Sequence, residues 1–170
     1  GSVDLAMARL TTRGGELRLE GKRKIVDAAP GDRIANPKFS PDQKSIVFAW
    51  KKEGQLSEGL YRYAFANSGK PAEGSRVSPL VADEAKNRFP AFDPKNVLYY
   101  VSDRTGVDNL YRFENGRSTM VTNMTGALWL PTFHPKGDLY ASVLKKEGFS
   151  AARVETNPAG FDPAKAKIQV

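Results

Sequence analysis

The pattern Pro-x-Phe-x-Pro occurs three times, beginning at Pro37, Pro90 and Pro131, with steps of 53 and 41 residues (37 to 90, then 90 to 131). After each copy come a polar turn and an apolar run: residues 45–50, 97–101 and 139–144. A Gly-containing loop follows, then a second run at 60–63, 110–113 and, more weakly, 151–154. Three features in one order, three times over, mark a chain built from one supersecondary unit whose copies pack on each other.

The middle copy shows what that unit is. Between Asn87 and Thr122 lie four short runs rich in aromatic and β-branched side chains, at 89–92, 97–101, 110–113 and 119–121. The segments between them carry Asp93-Pro94-Lys95-Asn96, Ser102-Asp103-Arg104-Thr105-Gly106 and Glu114-Asn115-Gly116-Arg117. Such runs, punctuated by Asp, Asn, Gly and Pro, read as strands joined by tight turns. Four strands in about 35 residues make one antiparallel meander, the size of a propeller blade. The expected fold class is therefore all-β, a β-propeller or part of one, with four-stranded antiparallel blades. The chain reads as a single propeller-type domain over 1–170. It divides into a partial N-terminal blade (3–33), a first full repeat (34–86), a second (87–127) and a third with a divergent C-terminal end (128–170).

Two segments carry a family resemblance. Phe39-Ser40-Pro41-Asp42-Gln43-Lys44 resembles the F/W-S-P-D-G-K turn of TolB-like propeller repeats, and Ser102-Asp103-Arg104-Thr105-Gly106 with Leu110-Tyr111 resembles their S-D-R-x-G…I/L-Y segment. The likeness covers about 34–154 and is closest in the middle copy. The turn departs from it: Gln43 and Asn96 stand where glycine is usual, and His134 replaces the serine. Asn tolerates a left-handed backbone, whereas Gln does so less readily. The resemblance implies a periplasmic or cell-envelope location and a scaffold that docks proteins or peptides across one face.

Length and composition set bounds. A chain of 170 residues with 40% hydrophobic and 10% aromatic residues suffices for one cored domain. A closed propeller normally needs four or more blades, so three openings imply part of a larger ring, a homo-oligomer that completes one, or an unusually small closed ring. A net charge of +7 favours an acidic or glycan ligand. The densest basic cluster is only Lys22-Arg23-Lys24, which speaks against nucleic acid as the partner. The absence of cysteine excludes disulfides, thiolate zinc sites and a Cys nucleophile. No apolar stretch approaches 18 residues, so no membrane-spanning helix is expected. No signal peptide is visible, and Gly1-Ser2 resembles a cloning remnant left after one is removed.

Before the first Pro-x-Phe lie apolar runs at 5–10, 16–19 and 24–26, separated by turn-like segments around Gly14-Gly15 and Gly21. The Leu17/Leu19 against Glu16/Arg18 alternation reads as a half-buried strand, and the three runs as later strands of a blade whose opening strand lies elsewhere. A helix over 3–10 competes, since Leu5, Ala6, Met7, Ala8 and Leu10 favour it. Insertions at 51–59 and 66–75 lengthen the first repeat, and 167–170 reads as a last strand.

Chemistry is sparsely marked. There is no G-x-S-x-G, P-loop or dinucleotide fingerprint, and Asp103 and Asp108 around Gly106 lack the D-x-D-x-D-G calcium pattern. No catalytic residue, metal or cofactor is expected. His134, the one histidine, occupies the turn slot of Ser40 and Asp93, where polar side chains bond turn backbone. Trp129 precedes the third opening strand and, with Trp50, is a candidate aromatic anchor for a peptide or sugar ring. Arg33, Arg88 and Arg104 lie near similar turns and would bring positive charge there. His134 completes the candidate binding residues. The expected role is a non-catalytic protein- or peptide-binding scaffold. An accessory propeller of a larger peptidase or hydrolase and a glycan- or cell-wall-binding module are the alternatives.

Overall fold

The computed structural model of the chain describes residues 3–65 and 77–162. These form thirteen strands in four antiparallel sheets, with strictly sequential order inside each sheet. Strands β1 (Leu5–Arg13) and β2 (Glu16–Val26) make a two-stranded hairpin. The first four-stranded sheet holds β3 (Arg33–Phe39), β4 (Ser45–Lys51), β5 (Gly59–Ala64) and β6 (Val77–Val81). The second holds β7 (Asn87–Phe92), β8 (Leu98–Ser102), β9 (Asn109–Glu114) and β10 (Arg117–Met120). The third is three-stranded, with β11 (Leu128–Phe133), β12 (Leu139–Lys145) and β13 (Gly148–Arg153). The four runs expected in the middle copy are β7 to β10.

Two expectations change. The helix considered for 3–10 is overturned, because β1 pairs residue by residue with β2. The turn expected at Gly21 is a bulge: its φ of 62° takes up the shift between Arg9↔Glu20 and Met7↔Arg23, and β2 runs on through it. Among the described residues no fourth strand lies beside β13. Instead Asn157 and Phe161 donate their N–H groups to the carbonyls of Val121 and Met120, at 2.9 and 2.7 Å, at the outer edge of the second sheet. The insertion at 66–75 and the run at 167–170 lie outside the described residues.

The sheets stack in chain order through three cores. Leu5 and Val26, at the hairpin base, pack with Ile34, Ile46 and Phe48 of the first sheet. Val47, Ala49 and Leu60 meet Leu98, Tyr100 and Tyr111 of the second. Val101 and Leu110 then meet Leu128, Leu139 and Val143 of the third. Each fully buried leucine in these layers contributes about 2 kcal/mol of transfer free energy. Strand β4, S-I-V-F-A-W-K, is apolar at nearly every position because it is buried on both faces.

The turn closing the first two strands of each sheet explains the sequence departures. Gln43, Asn96 and Gly137 occupy equivalent positions with φ of 57°, 68° and 98°, so the left-handed slot is kept whichever residue fills it. The preceding polar slot anchors backbone in all three. Ser40 Oγ accepts from Ser45 N–H at 3.0 Å, Asp93 Oδ1 from Lys95 and Val97 N–H at 2.9 Å each, and His134 Nδ1 from Lys136 N–H at 3.2 Å.

Candidate functional site

The inner strands β3, β7 and β11 stand side by side and share an irregularity. The residue before each repeat proline is left-handed: Asn36 (φ 53°), Phe89 (φ 51°) and Leu130 (φ 52°). The ladder register slips there, between Ala35 and Lys38, Arg88 and Ala91, and Trp129 and Thr132. Proline lacks the N–H that would continue the ladder, so a bulge is the local solution. For Phe and Leu the conformation costs on the order of 1–3 kcal/mol. The three bulges converge on a cavity of about 210 Å³ lined by these residues and by Pro37, Pro90 and Pro131.

At the N-terminal end of the inner strands the sheets are joined by repeated backbone bonds. Asn87 N–H donates to the Glu58 carbonyl at 2.7 Å, and Leu128 N–H to the Asp108 carbonyl at 3.1 Å. Glu58 and Asp108 thus reach the same rim, each two residues ahead of a Leu-Tyr pair. Asp108 binds Arg88 Nη2 through Oδ1 at 2.8 Å and Trp129 Nε1 through Oδ2 at 2.5 Å. Glu58, only 3% exposed, meets Arg33 at 3.6 Å. Burial pushes the Glu58 carboxyl up, and Arg33 and Arg88 offset part of that shift. Trp129 also meets the Phe149 ring at 4.7 Å, tilted by 32°, and lies 6.3 Å from Phe89. The rim therefore reads Arg33, Glu58, Arg88, Asp108, Trp129 and Phe149 across three sheets.

Of the predicted residues, the structure brings together Arg33, Arg88 and Trp129. Of the other three, Trp50 and Arg104 stand at the same end of the sheets but are engaged elsewhere, Arg104 also donating to Asn87 Oδ1 at 3.2 Å, and His134 lies at the far end. Trp50 is half-buried, bonded to Asp32 Oδ2 at 2.9 Å and packed edge-on to Tyr61 at 5.2 Å, so it serves the first core. Arg104 lies 4.6 Å over the Tyr111 ring, donates to Tyr100 Oη at 2.8 Å and pairs with Asp83 at 3.0 Å. Lys52 does the same more loosely over Tyr61 in the first sheet, at 5.9 Å. His134 follows β11 at the far end from Trp129, five residues or about 16 Å away along the strand, and its ring anchors the turn. Asp103 and Asp108 do not converge. Asp103 accepts from Lys86 N–H at 2.8 Å, whereas Asp108 faces Arg88 and Trp129, and no cluster of metal-ligating side chains occurs among the described residues.

Sequence reasoning missed Glu58, Asp108 and Phe149. A signal was present for the first two: an acid at the same distance from Leu-Tyr in both full repeats. The rim offers an exposed guanidinium at Arg33, a fixed Arg–Asp–Trp unit and an aromatic ledge.

The architecture is all-β, four-stranded antiparallel sheets stacked as in part of a β-propeller, and solved structures bear this out. Puromycin hydrolase matches over 86% of this chain and 22% of its own, at 16% identity and a TM-score of 0.63. TolB from Acinetobacter baumannii matches over 89% of this chain and 41% of its own, at 16% identity and a TM-score of 0.53. A prolyl endopeptidase matches over 89% and 24%, at 16% identity and a TM-score of 0.59. The chain thus spans less than half the length of each, and at this identity the likeness is one of fold. No family model matches the sequence. No curated protein matches it either.

Proposed function

We propose that the chain is a non-catalytic binding scaffold that takes a protein or peptide segment across the rim at the N-terminal ends of β3, β7 and β11. The observation that carries this reading is the gathering of Arg33, Arg88 and Trp129, from three successive sheets, into one line. Arg33 supplies a hydrated positive charge for an acidic side chain or C-terminal carboxylate. The Trp129–Phe149 pair supplies a flat apolar anchor next to it, as at binding hot spots. Asp108 holds Arg88 and Trp129 in place before the ligand arrives, which lowers the ordering cost of binding. Likeness of fold to TolB supports a periplasmic or envelope setting for this role. The test is titration calorimetry with a panel of acidic and neutral peptides, repeated on Arg33→Ala and Trp129→Ala. Loss of about tenfold or more in affinity in both variants is expected. Binding unchanged in both, or retention of glycans with no peptide bound, overturns the reading.

A second reading follows from the matches to puromycin hydrolase and a prolyl endopeptidase. Here the chain is an accessory propeller of a larger hydrolase, and the rim meets the catalytic domain. Hydrolase activity in a longer form of the protein, lost on Arg33→Ala and Trp129→Ala, favours it.

A further inference from the structure

Each sheet turns the same positions towards the sheet that follows. In the first these are Val47, Ala49 and Leu60, and in the second Tyr99, Val101 and Leu110, matched by the pairs Ala49↔Leu60 and Val101↔Leu110. Val47, Ala49, Leu60, Val101 and Leu110 are at most 1% exposed, sealed into the cores with the second and third sheets. The third sheet repeats the register with Tyr140, Ser142 and Ala151, and strand alternation adds Leu144 and its partner Phe149 to that face. Here the face is open: Tyr140, Leu144 and Phe149 are 38–49% exposed.

The hairpin at the other end of the row is open as well. Its base covers the first sheet, but farther out the pairs Leu10↔Leu19 and Thr12↔Leu17 set three leucines on one face, 61–74% exposed. Arg9, Thr11, Arg13, Glu16, Arg18 and Glu20 alternate onto the opposite face. By contrast, among the strand residues of the first and second sheets only Phe39 is a large exposed hydrophobic. Apolar exposure of this kind is concentrated at the two ends of the row.

We propose that the chain associates with a second copy of itself, the leucine face of one hairpin seated on the outward face of the other copy's third sheet. Both halves of the contact are present on every chain. They lie on elements whose buried sides serve different cores, the hairpin base with Leu5 and Val26 in the first and the third sheet with Leu139 and Val143 in the last. Hairpin against sheet is a packing that the chain already uses, where Leu5 and Val26 close over Phe48. The contact continues the blade-on-blade stacking from one molecule into the next. It is heterologous, joining two different surfaces, so it builds a ring where the rotation closes. This surface shares Phe149 with the rim but not Arg33, which lies on the first sheet, so Arg33→Ala is expected to leave the association intact.

The test is solution mass by light scattering across a concentration series of the 170-residue chain, with two double variants, L17K/L19K and L144K/F149K. Leu17 and Leu19 are mostly exposed, Leu144 and Phe149 partly so, and none of the four lies in a core, so the fold is expected to survive, as circular dichroism will report. If a lysine pair disturbs it, L19S and F149S give the same reading. Wild type is expected to assemble and each double variant to be monomeric. A one-to-one mixture of the two is expected to dimerise, because one intact hairpin then meets one intact third sheet. A monomeric wild type, a double variant that still assembles, or a mixture that stays monomeric overturns the proposal.

Discussion

Arg88 and Trp129, on the inner strands of adjacent sheets, hold opposite oxygens of one carboxylate: Arg88 Nη2 at 2.8 Å from Asp108 Oδ1, and Trp129 Nε1 at 2.5 Å from Oδ2. Asp108 thus fastens the second sheet to the third while its own carbonyl takes the Leu128 N–H. Removing it leaves a largely buried guanidinium and an indole N–H without their acceptor. Asp108→Ala is expected to cost about 3 kcal/mol. Urea denaturation checks this, and a loss below about 1 kcal/mol would show that water replaces the carboxylate.

Glu58 makes the opposite case. Because burial raises its folded carboxyl above the unfolded value, its contribution to stability is present below the ordinary carboxylate range and lost as pH rises through the folded pKa. Glu58→Gln stays neutral throughout. Denaturation midpoints for the two proteins are expected to diverge as pH rises from 4 to 7, with Glu58→Gln the more stable at neutral pH. Parallel curves would count against the burial effect.

Alkaline behaviour follows from the second sheet. Burial pushes the Tyr100 phenol up to about 12, and burial raises Tyr99 and Tyr111 as well. An unfolded tyrosine ionises near 10, so stability is full below that pH and falls as pH rises through the folded value. At about 1.4 kcal/mol per unit, Tyr100 alone removes roughly 2–3 kcal/mol across this window. Tyr100→Phe is expected to unfold less steeply above pH 10. Phenolate absorbance followed alongside unfolding tests it; an equally steep fall assigns the loss elsewhere.

Leu130 combines a left-handed backbone with a mostly exposed side chain. Asn36 fills the same slot in the first sheet, and Asn tolerates this conformation better. Leu130→Asn is expected to stabilise the chain by about 0.5–1 kcal/mol, read as a rise in the thermal midpoint. A fall would mean that Leu130 packing at the cavity outweighs backbone strain.

These sites show where sequence reading succeeded and where it stopped. The strands of the middle sheet were legible because aromatic and β-branched runs alternate with Asp, Asn and Gly, which act locally. The left-handed residues before proline were not, since Phe89 and Leu130 carry no glycine signature and the bulge arises from ladder geometry. Arg104 and Trp50 read as surface anchors from type alone. Only the fold shows that Tyr100, Asp83 and Asp32 claim their polar atoms. The rim depended on acids brought close by stacking of sheets, information held in pairings between segments 28 and 41 residues apart, Glu58 with Lys86 (58 to 86) and Arg88 with Trp129 (88 to 129) through Asp108.

Strictly neighbour-to-neighbour strand pairing has a kinetic consequence. Each meander can zip up from its own short turns without first closing a long loop. Amide protons of β8 and β9, roofed by a core on either side, should then exchange last. Those of the terminal hairpin should exchange first, so that the molecule opens from its margins while its centre still holds.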